Sequence, residues 1–344
     1  FTRGLAHSLA RNNQAFPQRI WVVDNSGSMQ NPDGHRIVET SRTTGRDIEV
    51  VPATRWEEIR ECVTYHIRAA NLLQAPTTFR LLNKPGPSIP QIFSVAEDPT
   101  KYKSDEQDAI QFMRKTRPQG STPLTDHIIE IQQQVRSMTP ELNRTGTRVV
   151  IVIATDGLPT DYMAQGGIYE RTRFVEAMRG LEGLPCWVVI RLCTDEDNVV
   201  DFYNNLDEEL ELSLDVLDDF CGEALEVYEH NPWLNYALPL HRCREMGYHH
   251  RVFDIIDERG LTKSELRDFF EILFGDLDGI PDPSIDWTGF CHDIERLVRK
   301  ESPQWNPVKK RITPWVDMSR LNRQYGRGKH GGSGAGCAPG CSMM

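Results

Sequence analysis

The sequence lacks an apolar run of the ~20 residues that a membrane-spanning helix requires. Its densest apolar stretch, residues 149–154 (VVIVIA), has the length of a buried strand. The eight cysteines also lack the spacing of a disulfide framework, and Cys186 and Cys193 flank an apolar run in which free cysteine behaves as a small hydrophobic residue. We therefore expect no membrane span and a reducing, intracellular compartment.

Basic residues are too few for general binding of nucleic acids. The chain has 39 Lys and Arg residues against 50 Asp and Glu residues, which gives a formal net charge of -11, whereas contacts to phosphate groups need a basic face. No Lys or Arg occurs in residues 195–229, and basic residues concentrate in residues 309–329. Such charge blocks usually form solvated faces, so we expect no nucleic-acid partner.

Signatures of hydrolytic and nucleotide-dependent enzymes are missing as well. No GxSxG motif occurs, because Gly27-Ser28 lacks the second glycine, and the chain has neither a GxxxxGK[ST] loop nor an HExxH motif. We therefore predict no catalytic residue and do not expect an enzyme.

The chain begins with Phe1 rather than with Met. This start suggests that a processed or trimmed segment precedes it, and a targeting peptide would lie in that segment. The expected location is the cytoplasm, with an organelle as the alternative.

Strand-like and helix-like runs alternate through the first two thirds of the chain. Strands are predicted at residues 19–24, 77–82, 89–95, 149–154 and 186–192, with a further edge strand at 215–218. Helices are predicted at residues 55–73, 105–115, from 122 onward, and at 172–181. This alternation predicts an α/β fold with a doubly wound, mostly parallel sheet that is flanked by helices.

Past about residue 230 the strand-like runs fade, and helix-like runs joined by Pro- and Gly-rich turns replace them. Large apolar residues such as Trp233 and Phe269 need a surface to cover there, and a small helical set rarely buries enough area alone. We therefore divide the chain into a lead-in (1–16), an α/β domain (17–230), a C-terminal helical appendage packed on that domain (231–305), and a basic, then Gly-rich flexible tail (306–344).

Oxygen donors follow two predicted strands and precede one predicted helix. Asp24, Ser26 and Ser28 come directly after the first strand, Thr122 stands at the start of a helix, and Asp156 follows the strongest strand. In parallel α/β sheets, ligands bind outside the carboxyl ends of the strands. Two carboxylates and three hydroxyls suit Mg²⁺, with Mn²⁺ or Ca²⁺ as alternatives, and the absence of His and Cys from this set argues against zinc.

The order and spacing of these residues resemble a known family. The stretch DNSGS at residues 24–28 is similar to the DxSxS element of the metal-ion-dependent adhesion site (MIDAS). Thr122 is similar to the separate threonine of that site, and the TDG of residues 155–157 to its distal aspartate. The chain thus resembles the von Willebrand factor A (VWA) family over residues 17–229. The resemblance implies a Rossmann-like fold in which the serines and the threonine bind a cation directly, and Asp24 and Asp156 bind it directly or through water.

The resemblance also implies a function. A carboxylate from outside would complete the coordination shell, so we expect a protein partner that supplies an Asp or a Glu. One alternative is a regulatory subunit of an ATP-driven, chelatase-like complex, as intracellular members of the family include such subunits. A metal-dependent enzyme ranks last, because no general base is recognisable. A purely structural alternative also stays open, in which DNSGS forms a strand-exit turn and Asp24 caps a neighbouring amide.

Other chemically suggestive residues carry weaker patterns. Residues 276–279 (DLDG) hint at a calcium loop, but Pro281 and Trp287 occupy the positions that need glycine and glutamate. Cys337 and Cys341, in the Gly-rich tail, lack a lipid-anchor motif. Several histidines lack companion ligands at metal spacing and are interpreted as solvated or structural: His66, His127, His249, His250 and His292.

Overall fold

The computed structural model describes residues 1–42 and 45–326. Its strands are β1 (Gln18–Val23), β2 (Gly34–Arg42), β3 (Gly45–Ala53), β4 (Thr77–Leu81), β5 (Ile92–Val95), β6 (Val149–Thr155), β7 (Cys186–Leu192), β8 (Leu214–Leu217), β9 (Gln304–Asn306) and β10 (Arg311–Thr313). Its helices are α1 (Arg3–Ala15), α2 (Arg55–Leu73), α3 (Tyr102–Lys115), α4 (Leu124–Thr145), α5 (Ile168–Arg179), α6 (Asp197–Glu209), α7 (Phe220–His230), α8 (Leu238–Glu245), α9 (Arg251–Ile255), α10 (Lys263–Phe274), α11 (Trp287–Val298) and α12 (Met318–Tyr325). Within the described ranges, none of these helices is long and apolar enough to cross a membrane.

Six strands form one sheet in the order β5-β4-β1-β6-β7-β8. Neighbouring strands run parallel except β5, which pairs antiparallel with β4. Every residue of β6 and β7 is buried, as inner strands of a parallel sheet are when both faces are covered. The prediction of an α/β fold with a mostly parallel sheet flanked by helices is therefore confirmed, and so is the helical C-terminal region.

Helices cover the sheet on both faces because successive side chains of a strand point to opposite sides. On one face, Trp21 of β1 packs in a cluster with residues of α2 and α3, such as Ile59. On the other face, Ile20 packs in a cluster with residues of α4, α5 and α6, such as Ile128 and Phe174. The carboxyl ends of the parallel strands remain free of these layers and carry the polar loops.

A hairpin and a helix are among the elements that sequence analysis did not predict. Strands β2 and β3 form an antiparallel hairpin, whose Ile37 and Val50 pack against the C-terminal hydrophobic core and not against the sheet. Helix α6 lies within the acidic block, and its buried Val199, Tyr203 and Leu206 recur at helical spacing. Sequence analysis missed this amphipathic helix because the block is rich in charged residues.

The C-terminal helices share one hydrophobic core, and α1 belongs to it. Leu5 and Leu9 of α1 join the cluster built from α7 to α12. Gly4 lies so close to the end of α10 that a Cβ placed on it would be 2.1 Å from the backbone N of Gly275. Residues 1–16, predicted as a lead-in, therefore contain a helix, α1 (Arg3–Ala15), that belongs to the C-terminal core.

The predicted flexible tail from residue 306 was wrong for residues 306–326. Strands β9 and β10 pair there, α12 follows, and Trp315, Val316 and Leu321 are buried. Exposed basic residues alternate with these apolar ones, so that a composition-based interpretation registered only the charge. The Gly-rich stretch from residue 327, with Cys337 and Cys341, lies outside the described residues.

The C-terminal region contacts the sheet near the end of α8. Gly247, with φ +76°, lies where a Cβ would be 2.6 Å from a side-chain methyl of Val150 in β6. Arg19 of β1 donates from Nε to the carbonyl oxygen of Met246 at 3.3 Å. The positive φ and the close approach together require glycine at position 247.

Candidate metal centre

The loop after β1 and the loop after β6 lie side by side because their strands are neighbours in the parallel sheet. The amide of Asp24 donates to the carbonyl oxygen of Ala154 at 2.9 Å and so extends the pairing of β1 with β6 by one residue. The amide of Gly27 donates to the carbonyl oxygen of Gly120 at 3.1 Å, which ties the first loop to the loop that precedes α4. Three polar loops therefore converge at one edge of the sheet.

This convergence brings together all five predicted site residues. Ser26 Oγ and Ser28 Oγ lie 3.0 Å apart, and Ser28 Oγ donates to Asp156 Oδ1 at 2.9 Å. A Cβ placed on Gly157 would be 3.7 Å from Thr122 Oγ1, so the threonine hydroxyl lies beside the third loop. Ser28 is exposed, whereas Asp24 is fully buried. The donors thus form a shallow site that opens to solvent at Ser28.

Both oxygens of Asp24 accept hydrogen bonds. The amide of Ser26 donates to Oδ1 at 2.8 Å, and Thr155 Oγ1 donates to Oδ2 at 2.7 Å. Burial, and secondly the charge of Asp156, raise the pKa of Asp24 to about 7. The bond from Ser26 is the cap that the structural alternative required, so Asp24 orders its own loop as well as supplying charge to the site.

Asp156 is held by a residue that sequence analysis did not single out. Arg55, the first residue of α2, donates from one terminal nitrogen to Asp156 Oδ2 at 3.0 Å. Burial raises the pKa of Asp156, and the bonds from Ser28 and Arg55 offset part of that rise. An arginine in the first turn of a helix opposes the helix dipole, and this local conflict was the signal available in the sequence.

Asparagine side chains fix the loops in place. Asn25 accepts from the amide of Asn83 at 2.8 Å through Oδ1 and donates from Nδ2 to the carbonyl oxygen of Asn83 at 3.0 Å. Asn83 in turn donates to the carbonyl oxygen of Ser121 at 2.7 Å. Gly120 has φ +86°, a conformation that disfavours any residue with a Cβ. The loops are therefore preorganised around the five donors.

The residues present fit a hard divalent cation. The set offers two carboxylates and three hydroxyls, all oxygen donors, which suits Mg²⁺ better than a soft metal. Two neighbouring carboxyl groups with raised pKa values repel each other when ionised, and a bound divalent cation would relieve that repulsion.

A second polar cluster is fully buried between α2, α8 and β7, around Glu245. His66 Nε2 lies 2.9 Å from Glu245 Oε2, and Cys62 Sγ lies 3.3 Å from Oε1. His241 Nε2 lies 3.4 Å from the same Oε1. The expectation that His66 has no companion at metal spacing was therefore wrong, because Cys62 lies one turn earlier on its helix and Glu245 comes from a distant element.

The charges around Glu245 indicate an ion-pair centre instead of a metal site. One terminal nitrogen of Arg242 lies 2.9 and 2.7 Å from the two carboxylate oxygens, and Arg191 Nε lies 3.6 Å from Oε1. Two guanidinium groups already compensate the carboxylate, and a divalent cation would add uncompensated charge in a dry environment. We call this group of residues the Glu245 cluster: Cys62, His66, Arg191, His241, Arg242 and Glu245.

The Glu245 cluster predicts a loss of stability in acid. Burial lowers the pKa of His66 and of His241 below the usual 6.5. Burial alone would raise the pKa of Glu245, but Arg242 and His241 hold it well below 4.5. All three groups bind protons less readily when folded than when unfolded, so the free energy of unfolding should fall as pH drops below 6.5, and again below 4.5.

Urea unfolding at pH values above and below 6.5 tests this expectation. The variant His66→Gln keeps a donor for Glu245 without a titrating ring, and it should lose less stability in acid than the wild type. His292→Gln, at an exposed histidine, should behave as the wild type does. Identical acid sensitivity of His66→Gln and wild type would show that the Glu245 cluster does not set the pH dependence. Besides Glu245, the charged groups that act on the pKa of His66 are Arg242 and Arg19.

Comparisons with known proteins add little to this description. No family model matches the chain, and no curated protein does. Among solved structures, a mutant of the PilB minor pilin from Streptococcus sanguinis superposes with a TM-score of 0.37 and 12% sequence identity. The match covers 59% of this chain and 57% of the pilin chain, and a likeness this weak carries no argument about fold or function.

Proposed function

We propose that this chain is a binding module of the VWA type, which holds Mg²⁺ at a MIDAS and uses it to bind an acidic residue of a protein partner. The observation that carries the proposal is the meeting of Asp24, Ser26, Ser28, Thr122 and Asp156 at one edge of the sheet. All five lie on preorganised loops, and the site opens to solvent at Ser28.

The strand order supports a doubly wound, Rossmann-like arrangement. Counted in chain order within the sheet, the strands lie 3-2-1-4-5-6, and the order reverses between β1 and β6. Ligands of doubly wound sheets bind at the carboxyl ends of the strands where the order reverses. Asp24 follows β1 and Asp156 follows β6, so the proposed metal site lies at that position.

In this proposal the neutral and charged donors have separate tasks. The hydroxyls of Ser26, Ser28 and Thr122 would hold the cation, and Asp24 and Asp156 would compensate its charge. Mg²⁺, when bound, would supply an electrophilic position for one more oxygen ligand, here a carboxylate of the partner. Because Asp24 and Asp156 are each held by two donors, they keep their positions while the partner exchanges with water.

The loop that follows Asp156 offers a surface that could contact the rest of the partner. Thr160 is tied to Thr122, since its Oγ1 accepts from the amide of Thr122 at 2.9 Å. A few residues further, the loop and the start of α5 expose large apolar side chains: Tyr162, Met163, Ile168 and Tyr169. Exposed aromatic and Met side chains beside a polar site are typical of protein interaction surfaces.

A pull-down from native extract with Mg²⁺ or with EDTA tests the proposal. We expect wild type to retain a partner in Mg²⁺ and to release it in EDTA. Thr122→Ala should retain less partner because it lacks one neutral ligand of the cation. The double variant Tyr162→Ser, Met163→Ser should also retain less partner, but the partner that it retains in Mg²⁺ should still be released in EDTA. Retention of the same partner by wild type in EDTA would contradict a metal-bridged contact, and a dominant ATPase among the retained proteins would favour the regulatory subunit.

A further inference from the structure

Arg55 is a buried cation at the proposed metal site. Only 2% of its side chain is exposed, although it bonds to three carboxylates. Besides Asp156, it contacts Asp33 through Nε and a terminal nitrogen at 2.7 and 2.6 Å, and Glu196 at 2.9 Å. Asp33 and Glu196 are 54% and 53% exposed. The guanidinium is thus anchored from the solvent side and is unable to reach a partner.

This anchoring restricts what Asp156 can do. Its Oδ2 accepts from Arg55 and its Oδ1 accepts from Ser28. Asp24 is restricted in the same way, since each of its oxygens has a fixed donor. Neither carboxylate can therefore turn both oxygens toward a cation without breaking a buried hydrogen bond, and for Asp156 that bond belongs to an ion pair.

Divalent cations differ in how often they bind both oxygens of one carboxylate. Ca²⁺ takes six to eight oxygen ligands at longer distances and often binds carboxylates through both oxygens, whereas Mg²⁺ is octahedral, keeps several waters and needs only one or two carboxylates. A site whose carboxylates cannot offer both oxygens to the cation therefore favours Mg²⁺. The planar guanidinium of Arg55 is suited to holding Asp156 in place, because it bonds to Asp156, Asp33 and Glu196 at the same time.

We propose that Arg55 is a positioning residue that sets the cation selectivity of this site, by withholding Asp156 Oδ2 from the metal. The inference rests on the proposed function, because it assumes that the five donors bind a cation. In this proposal, Arg55 contacts neither the cation nor the partner. Removal of the guanidinium frees the second oxygen of Asp156 and allows the two-oxygen coordination that Ca²⁺ uses.

The test is the ratio of two dissociation constants, Kd for Ca²⁺ divided by Kd for Mg²⁺, measured by calorimetry on the full chain. Loss of one positive charge changes the attraction for both divalent ions alike, so the ratio isolates the geometric effect. We expect Arg55→Gln to lower the ratio by about tenfold, the scale on which partners of metal ligands act. Arg55→Lys should lie between Arg55→Gln and wild type, because one ammonium bond to Asp156 is recovered.

The matched control is Arg80→Gln, which removes another buried arginine paired with an exposed carboxylate, that of Glu130. It should leave the ratio as in the wild type. If Arg55→Gln does not fold, Arg55→Met replaces it, since methionine fills the space of the stem without a donor. A wild type that prefers Mg²⁺ together with an unchanged ratio in these Arg55 variants overturns the inference alone. A wild type that binds neither cation overturns the proposed function.

Discussion

The variant Asp24→Ala should fold but lose the rise in melting temperature that Mg²⁺ gives to the wild type. A ligand that binds only the folded state stabilises it by RT ln(1 + [L]/Kd), which is about 1.4 kcal/mol when Mg²⁺ is tenfold above its dissociation constant. Asp24 compensates cation charge from a fully buried position, so its loss should weaken Mg²⁺ more than the loss of a hydroxyl from Ser26, Ser28 or Thr122. In EDTA, the melting temperature of the variant should stay near that of the wild type, because relief of the repulsion between Asp24 and Asp156 offsets the loss of the acceptor for the Ser26 amide and the Thr155 hydroxyl.

Thermal melts of wild type and variant, each with Mg²⁺ and with EDTA, give the result directly. Asp24→Asn keeps one acceptor oxygen, which can still cap the amide of Ser26, and removes the charge, so it separates the capping role from the metal role. Asp161→Asn serves as the matched control, since Asp161 orders a nearby loop through the amides of Met163 and Gln165. A wild type that shows no response to Mg²⁺ would leave Asp24 with its capping role only.

Glu245→Gln should lower the free energy of unfolding by roughly 3 to 5 kcal/mol, the usual cost of removing one partner from a buried ion pair. The substitution leaves the shape of the side chain almost unchanged, removes its charge, and replaces one acceptor oxygen with an NH2 donor. Arg242 loses the carboxylate that it contacts at 2.9 and 2.7 Å, and Arg191 loses one of its two carboxylate neighbours. Their uncompensated charges remain buried between α2, α8 and β7.

Urea unfolding of Glu245→Gln at neutral pH measures this loss. Glu141→Gln is the control, because Glu141 pairs with Arg144 at a position where both side chains are largely exposed; it should change stability little, because an exposed ion pair is screened by solvent. A loss as small as that of the control would mean that the two arginines find compensation elsewhere. Binding of Mg²⁺ should be preserved in the folded fraction, because the Glu245 cluster contributes none of the five donors.

The sequence predicted the donors of the candidate site because each stands at the end of a strand or at the start of a helix. Asp24 and Asp156 each follow an apolar strand, and topology alone places the carboxyl ends of neighbouring parallel strands together. Arg55 was missed because its role depends on Asp33 and Glu196, which lie far from it in the chain. The local signal, an arginine in the first turn of α2 that opposes the helix dipole, does not identify the carboxylates with which it pairs.

Local sequence patterns likewise predicted some elements of the fold and missed others. The strands of the sheet were predictable from short apolar runs, since an inner parallel strand is buried on both faces. The hairpin of β2 and β3 was not, because its apolar residues are few and cover a surface supplied by the C-terminal helices. Helix α1 likewise carries Leu5 and Leu9 for a core whose other members lie more than two hundred residues later.

Helix α1 also has a consequence for the order in which the chain folds during synthesis. Thr2 donates to the carbonyl oxygen of Leu273, 271 residues away, and at translation rates of about 5 to 20 residues per second that partner emerges about 15 to 50 s later. During this interval the apolar face of α1 has no core to enter, although the sheet can already assemble behind it. Leu5 and Leu9 therefore lack their partners in α10 until that helix has left the ribosome.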